Sequence, residues 1–250
     1  PGHGTADETG TNAQFHFPGG CVSDGSGNLY VSDTYNHCIR KVVITTGETT
    51  TFAGTSGTAG FANGTGTAAI FNYPVGIARD GSGNLYVADS GNFVIRKITP
   101  GAEVTTFTGQ VGVRGSTSGS AANAKFSNVQ GLALSTSRNE LYVADMGNHI
   151  IRSVNLTSGF VITVAGAAGN QGNEDGDDNN AQFSSPSGLA IDQFGNLWVA
   201  DYGNNALRQV TLSGIVTTRV GFLSQPGFVD GSAASGRVKG PTSICRASDG

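Results

Sequence analysis

Short apolar runs, each interrupted by a cluster of Gly, Asn, Asp or Ser, follow one another along nearly the whole chain. Between residues 76 and 108 four such runs stand at 76–80, 85–89, 94–98 and 104–108, separated by DGSGN, SGN and TPGAE. Runs this short, bounded by turn formers, predict β-strands joined as antiparallel neighbours. The second run, Leu-Tyr-Val-Ala, is apolar at successive positions instead of alternating, as expected of a strand covered on both faces. Composition agrees: 39 glycines in 250 residues, with abundant Thr, Ser and Asn, describe tight turns rather than long helices.

The pattern repeats. GNLYVSD, GNLYVAD, NELYVAD and GNLWVAD end at Asp33, Asp89, Asp145 and Asp201, each 56 residues after the last. Arg40, Arg96, Arg152 and Arg208 keep the same period, with Asn36, Asn92, Asn148 and Asn204 between the two series. Four strands per unit, repeated at a fixed interval and covered on both faces, match a propeller blade packed between two neighbours. The fold class expected is therefore all-β: a β-propeller of four-stranded antiparallel blades, one domain over 1–250, with blades near 18–53, 74–108, 129–165 and 186–220. A partial fifth is expected at 241–250, where Pro241-Thr-Ser-Ile-Cys matches Pro74-Val-Gly-Ile-Ala. Gly-rich connectors at 54–69, 109–124 and 166–181 precede Phe71, Phe126 and Phe183, which are expected to wedge between blades. The first residues look like a connector cut short, since Asp7 precedes Phe15 as Asp175 precedes Phe183.

Pro-x-Gly-Ile-Ala, GNLYVAD and Asn-His-x-Ile-Arg-Lys together resemble the NHL repeat, and the resemblance covers nearly the whole chain. Asn36-His37-Cys38-Ile39-Arg40-Lys41 and Asn148-His149-Ile150-Ile151-Arg152 carry the last motif, whereas Phe93 and Asn205 hold the histidine position in the other two units. The resemblance implies about six blades in an intact ring. It does not settle activity, because that family includes protein-binding, RNA-binding and enzymatic members.

Residues that recur in every unit are expected to be structural, and a site should show as a departure. The four aspartates are expected to accept hydrogen bonds from amides of the turn that follows, and to pair with the arginine on the adjacent strand. Among the departures, Glu174, Asp175, Asp177 and Asp178 gather around Gly176 as a candidate calcium loop, although the spacing is not that of an EF-hand. Trp198 stands where Tyr30, Tyr86 and Tyr142 stand elsewhere, and is read as packing. Blade three has a longer first hairpin, Ser135 to Glu140, expected to protrude. Asn63-Gly-Thr65 and Asn155-Leu-Thr157 are N-glycosylation acceptors.

A formal net charge of −4, with 14 Lys and Arg, argues against nucleic acid, which needs a basic face. No apolar run is long enough to span a bilayer. Cys21, Cys38 and Cys245 show no CxxC spacing and are read as small buried residues, GxSxG is absent, and His3, His16, His37 and His149 are the four histidines. The expectation is a non-enzymatic module without cofactor, extracellular or at the cell surface. Its loops would meet a protein or glycan partner, or neighbouring subunits of a larger assembly. A metal-dependent lyase or lactonase-like hydrolase working in the central channel is the alternative, and an RNA-binding domain the second.

Overall fold

The computed structural model describes residues 3–177, 180–221, 226–232 and 235–246. The chain forms four antiparallel four-stranded blades arranged as a β-propeller. Blade one comprises β1 (Pro18–Ser23), β2 (Asn28–Asp33), β3 (Cys38–Val43) and β4 (Thr49–Ala53). After the short β5 (Gly64–Thr65), blade two comprises β6 (Pro74–Arg79), β7 (Leu85–Asp89), β8 (Val94–Ile98) and β9 (Glu103–Thr108). Blade three holds β10 (Val129–Ser135), β11 (Glu140–Asp145), β12 (Ile150–Asn155) and β13 (Val161–Ala165). Blade four holds β14 (Pro186–Ile191), β15 (Leu197–Asp201), β16 (Ala206–Val210) and β17 (Val216–Val220). Contacts gather into two compact units, Pro1–Arg114 with the first two blades and Gly115–Gly250 with the other two.

Within each unit the inner strands of successive blades lie side by side, β1 against β6 and β10 against β14. The glycine of Pro-x-Gly-Ile-Ala has its reason here. A Cβ on Gly131 would sit 2.2 Å from the Ser187 carbonyl oxygen, and one on Gly20 would sit 2.9 Å from that of Val75. Only a residue without a side chain lets the neighbouring backbone come so close. A β-bulge at this point of each inner strand, as between Pro18 and Cys21, adds one residue and turns the strand toward its neighbour.

The double-sided apolar strands are buried as their sequence requires: every residue of Leu85–Asp89 is buried. Phe71 joins Ile39 and Ala53 of blade one to Leu85, Val87 and Ile98 of blade two, while Phe183 does the same between blades three and four. The connectors do more than span. Thr9, β5, Gly119 and Gly176 each pair with the outer strand of the blade that follows, so an otherwise unpaired edge is covered. Beyond blade four, residues 241–244 lie along β14, with Ser187 Oγ donating to the Pro241 carbonyl at 3.0 Å, but they form no ladder. Residues 247–250 of the expected fifth blade lie outside the described residues.

Candidate functional site

One polar cluster recurs in every blade. Asp33 is fully buried; its Oδ2 accepts from Asn36 Nδ2 and from Arg40, both at 2.9 Å. Its Oδ1 accepts the backbone amide of His16 at 2.7 Å, and Asp89, Asp145 and Asp201 take those of Asn72, Ser127 and Ser184. The amide expected from the following turn therefore comes from the segment that leads into the inner strand. That turn closes as a 3-10 turn without a side-chain cap, and contributes its asparagine instead. The arginine then reaches the connector: Arg40 donates to the carbonyls of Ala6 and Gln14 and to the Asp7 carboxylate at 2.6 Å, and its guanidinium lies 5.1 Å from the Phe15 ring. Arg96, Arg152 and Arg208 repeat the arrangement over Phe71, Phe126 and Phe183. Burial pushes the Asp145 and Asp201 carboxyls up to about 6 against the pull of their donors, and it draws Arg96 and Arg152 down. Both members of each pair are spent on holding the connector to its blade.

The fourth member of this cluster varies in type and keeps its place. Asp7, Asn63, Ser118 and Asp175 each accept from the repeat arginine, at 2.6, 2.8, 3.2 and 2.7 Å. Two candidate sites of the sequence are thereby located. Asp175 of the acidic loop turns inward to Arg208 and Thr218, while Asp177 accepts from the amide and side chain of Asn180. Asp178 lies outside the described residues. Among the described residues, no three His, Cys, Asp or Glu side chains are placed to share a cation. Asn63 is exposed, with its Oδ1 engaged by Arg96; Asn155 Oδ1 accepts from the amides of Thr157 and Ser158 in the β12–β13 hairpin.

The histidine position is an inter-blade clasp. His37 and His149 take left-handed backbone angles, and their Nδ1 atoms accept the amides of Tyr73 and Ser185 from the next blade at 3.1 and 3.0 Å. Asn205 does the same with Oδ1 toward the Gly240 amide. Burial lowers both histidines, which keeps the acceptor nitrogen unprotonated at neutral pH. Trp198 follows its tyrosine equivalents, donating Nε1–H to Asp192 as Tyr86 donates its hydroxyl to Asp80. Cys38 is buried and Cys21 and Cys245 are exposed, so the expectation of buried cysteines holds for one of three.

Against this regular background, blade one departs at the head of its inner strand. Tyr35 stands where the other blades have Gly91, Gly147 and Gly203, and His16 where they have Asn72, Ser127 and Ser184. Those glycines are compulsory: a Cβ on Gly203 would lie 2.1 Å from Ser184 Oγ. In blade one the Tyr35 amide still bonds the His16 carbonyl at 3.0 Å, but both side chains swing outward. Phe17 and Tyr73, immediately before β1 and β6, have φ of 49° and 50°, a left-handed conformation that Asn128, Ser185 and Gly240 hold in the equivalent places. The result is a continuous set of rings. His3 stacks on His16 at 4.3 Å; His16, Phe17 and Tyr73 lie 5.1, 5.1 and 5.3 Å from Tyr35; and Tyr73 meets His37 at 4.6 Å. Phe17 is 71% exposed, Tyr35 48% and Tyr73 42%. Sequence reasoning counted His3 and His16 among the four histidines and missed the rest of the set, although Tyr35 breaks a Gly series that the period exposes.

In the second unit the long first hairpin of blade three faces that of blade four across a groove of about 480 Å³ lined by Arg138, Phe194, Leu212 and Arg246. Arg138 pairs with Glu140 at 3.2 Å, and Asp192 lines the groove together with Arg246.

Comparison with known proteins follows the same lines. The Teneurin NHL domain family matches residues 60–232, and the NHL repeat residues 15–42. NHL repeat-containing protein 2 of Gallus gallus is 27% identical over 260 residues, covering 91% of this chain and 35% of that protein. The chain spans 9% to 35% of the length of the curated relatives it matches. An auxiliary nutrient binding protein from Bacteroides thetaiotaomicron superposes with a TM-score of 0.64 at 16% identity, over 94% of this chain and 65% of that one. A chain of the nidogen/laminin complex gives 0.63 at 16% identity, over 93% and 70%.

Proposed function

The chain belongs to the NHL-repeat family, in the group described as the Teneurin NHL domain, and on that premise we propose that it is a non-enzymatic binding module. The ring surface of blade one is its contact face. The observation that carries this reading is the division of labour among the side chains. The recurrent Asp, Asn and Arg residues are consumed inside the blades, and two of the four histidines are clasps. Phe17 and Tyr73, each in ring contact with Tyr35, form with it an exposed set where blade one breaks the repeat, while Phe160, Phe194, Tyr202 and Phe228 are exposed elsewhere. Contiguous exposed aromatic surface marks interaction sites on soluble proteins, and left-handed angles on bulky residues are strain that persists where it serves a contact. The structural neighbours support the same direction, since they include an auxiliary nutrient binding protein and a chain of the nidogen/laminin complex.

The place of action proposed is outside the cell or at its surface, supported by the two N-glycosylation acceptors, Asn63 and Asn155. Peptide mass spectrometry of the protein from its natural source tests this, with a glycan on either asparagine expected and two bare asparagines counting against it. For binding itself, fluorescent tetramers of the chain should stain partner-bearing cells, and Tyr35→Gly with Phe17→Asn should remove the staining. Equal staining by both forms, or turnover of lactone or ester substrates by the purified chain, would contradict the reading.

A further inference from the structure

We propose that Asn63 is a self-deamidating site, and that the aspartate formed there fastens the connector of blade two to its outer strand. Asn63-Gly64 is the single Asn-Gly pair of the sequence, and it stands where blade four has Asp175-Gly176. Thr51, Thr106 and Thr218 each lie opposite the repeat arginine of their blade. In blades one and four, one carboxylate oxygen accepts from that arginine and from the threonine hydroxyl, at 2.6 and 3.0 Å for Asp7 and at 2.7 and 3.0 Å for Asp175. The other oxygen accepts the backbone amide of Thr51 or Thr218 at 2.9 Å. In blade two Asn63 Oδ1 takes the first role, accepting from Arg96 at 2.8 Å and from the Thr106 hydroxyl at 3.4 Å. The atom left for the Thr106 amide is Nδ2, which donates and cannot accept. Exchanging that amino group for an oxygen replaces a donor facing a donor with a hydrogen bond. It also sets a carboxylate against the buried Arg96 guanidinium, as Asp7 and Asp175 are set against theirs.

The reaction needs water alone. Gly64 N loses its proton to water and bonds to Asn63 Cγ, whose carbonyl the Arg96 and Thr106 donors polarise. The bond from Cγ to Nδ2 breaks, and that nitrogen takes up a proton and leaves as ammonia. Glycine has no side chain to hinder the attack. Water then opens the cyclic imide, so that one water is consumed for each ammonia released. Opening at Cγ gives aspartate and restores the peptide bond to Gly64. Opening at the main-chain carbonyl gives isoaspartate, whose extra backbone methylene puts Gly64 and Thr65 out of register with Val104 and Glu103. The ladder therefore favours aspartate. Access comes from the same place: Asn63 is exposed, and β5 is two residues long at the edge of its sheet. So short an edge strand opens locally, which frees Gly64 N to turn on Cγ, and it closes again on the product.

The test uses the whole folded chain made in bacteria, because a glycan on Asn63 would occupy the nitrogen that has to leave. The chain is incubated in mildly alkaline ¹⁸O-labelled water, with a second sample unfolded in urea, and the peptides containing residue 63 are separated into Asn, Asp and isoaspartyl forms and weighed. In the folded chain residue 63 should gain the label and become mainly aspartate, whereas isoaspartate should dominate in urea. Asn63→Asp, which carries the residue of blades one and four, should lower the unfolding equilibrium constant about fivefold or more in a urea titration. Asn63 left intact in the folded chain, isoaspartate as its main product there, or an Asn63→Asp variant no more stable than wild type overturns the proposal. None of these results bears on the staining experiment, so the binding-module reading stands or falls separately.

Discussion

Replacing Arg208 with Met measures what the recurrent polar cluster contributes to folding. Arg208 is wholly buried; it donates to Asp201 at 2.9 Å, to Asp175 at 2.7 Å and to the carbonyls of Gln182 and Glu174 at 3.0 and 2.9 Å. Methionine fills much of the same volume above Phe183 but supplies none of those donors. Asp201 is then left with the Ser184 amide and Asn204 alone, in a place where burial already raises its carboxyl to about 6. Breaking one side of a buried pair costs about 3–5 kcal/mol, because the remaining charge has no compensation. Against a typical total of about 5–15 kcal/mol, that is about a fifth of the stability or more. Trp198 lies on β15 of the same blade, so its fluorescence in a urea titration reports the change locally. Removing the partner as well, in Arg208→Met with Asp201→Leu, should recover part of the loss. A single variant within about 1 kcal/mol of wild type would refute the argument, since exposed ion pairs are worth no more than that.

Three further outcomes follow from the same geometry. His149→Asn substitutes the residue that blade four uses in the clasp, so stability at pH 7 should be kept. Wild-type His149 has its folded-state value below the usual 6.5, so its contribution is full above that pH and is lost as the pH falls toward the folded value; urea midpoints at pH 7 and pH 5 should show the variant gaining on wild type at the lower pH, and parallel curves would contradict this. Tyr73→Asn, which relieves a left-handed tyrosine, should raise stability by about 1 kcal/mol in the same assay, and a loss would mean that the ring belongs to the core. Gly131→Ala must move the Ser187 carbonyl away and should cost about 1–3 kcal/mol by urea unfolding, a neutral result showing that the blades have room to spare.

The period made much of this fold legible. Identical residues at Asp33, Asp89, Asp145 and Asp201 meant identical environments, and the strands of blade two fall within two residues of the expected bounds. What escaped was information carried by place rather than by residue type. Asp7, Asn63, Ser118 and Asp175 are one position, eight residues before the repeat phenylalanine, and each accepts from the repeat arginine. Asn63, a candidate sugar acceptor, and Asp175, a candidate cation ligand, thus share one structural position. The ring cluster escaped for a different reason. His16, Phe17 and Tyr35 are brought together by the pairing of β1 with β2, and the left-handed angle that turns Phe17 outward has no glycine to announce it. Connector pairing along the outer strands was equally silent, because backbone groups make it.

In this chain recurrence marks structure and departure marks function. The direct measurement is the urea unfolding free energy of His16→Ser, Phe17→Asn and Tyr35→Gly combined, which gives blade one the residue types of its neighbours. Stability equal to wild type or higher is the expected result, since about 1 kcal/mol of left-handed strain is removed and no buried contact is lost. A fall of more than about 1 kcal/mol would show that the rings hold blade one together, and the separation of structure from function would fail.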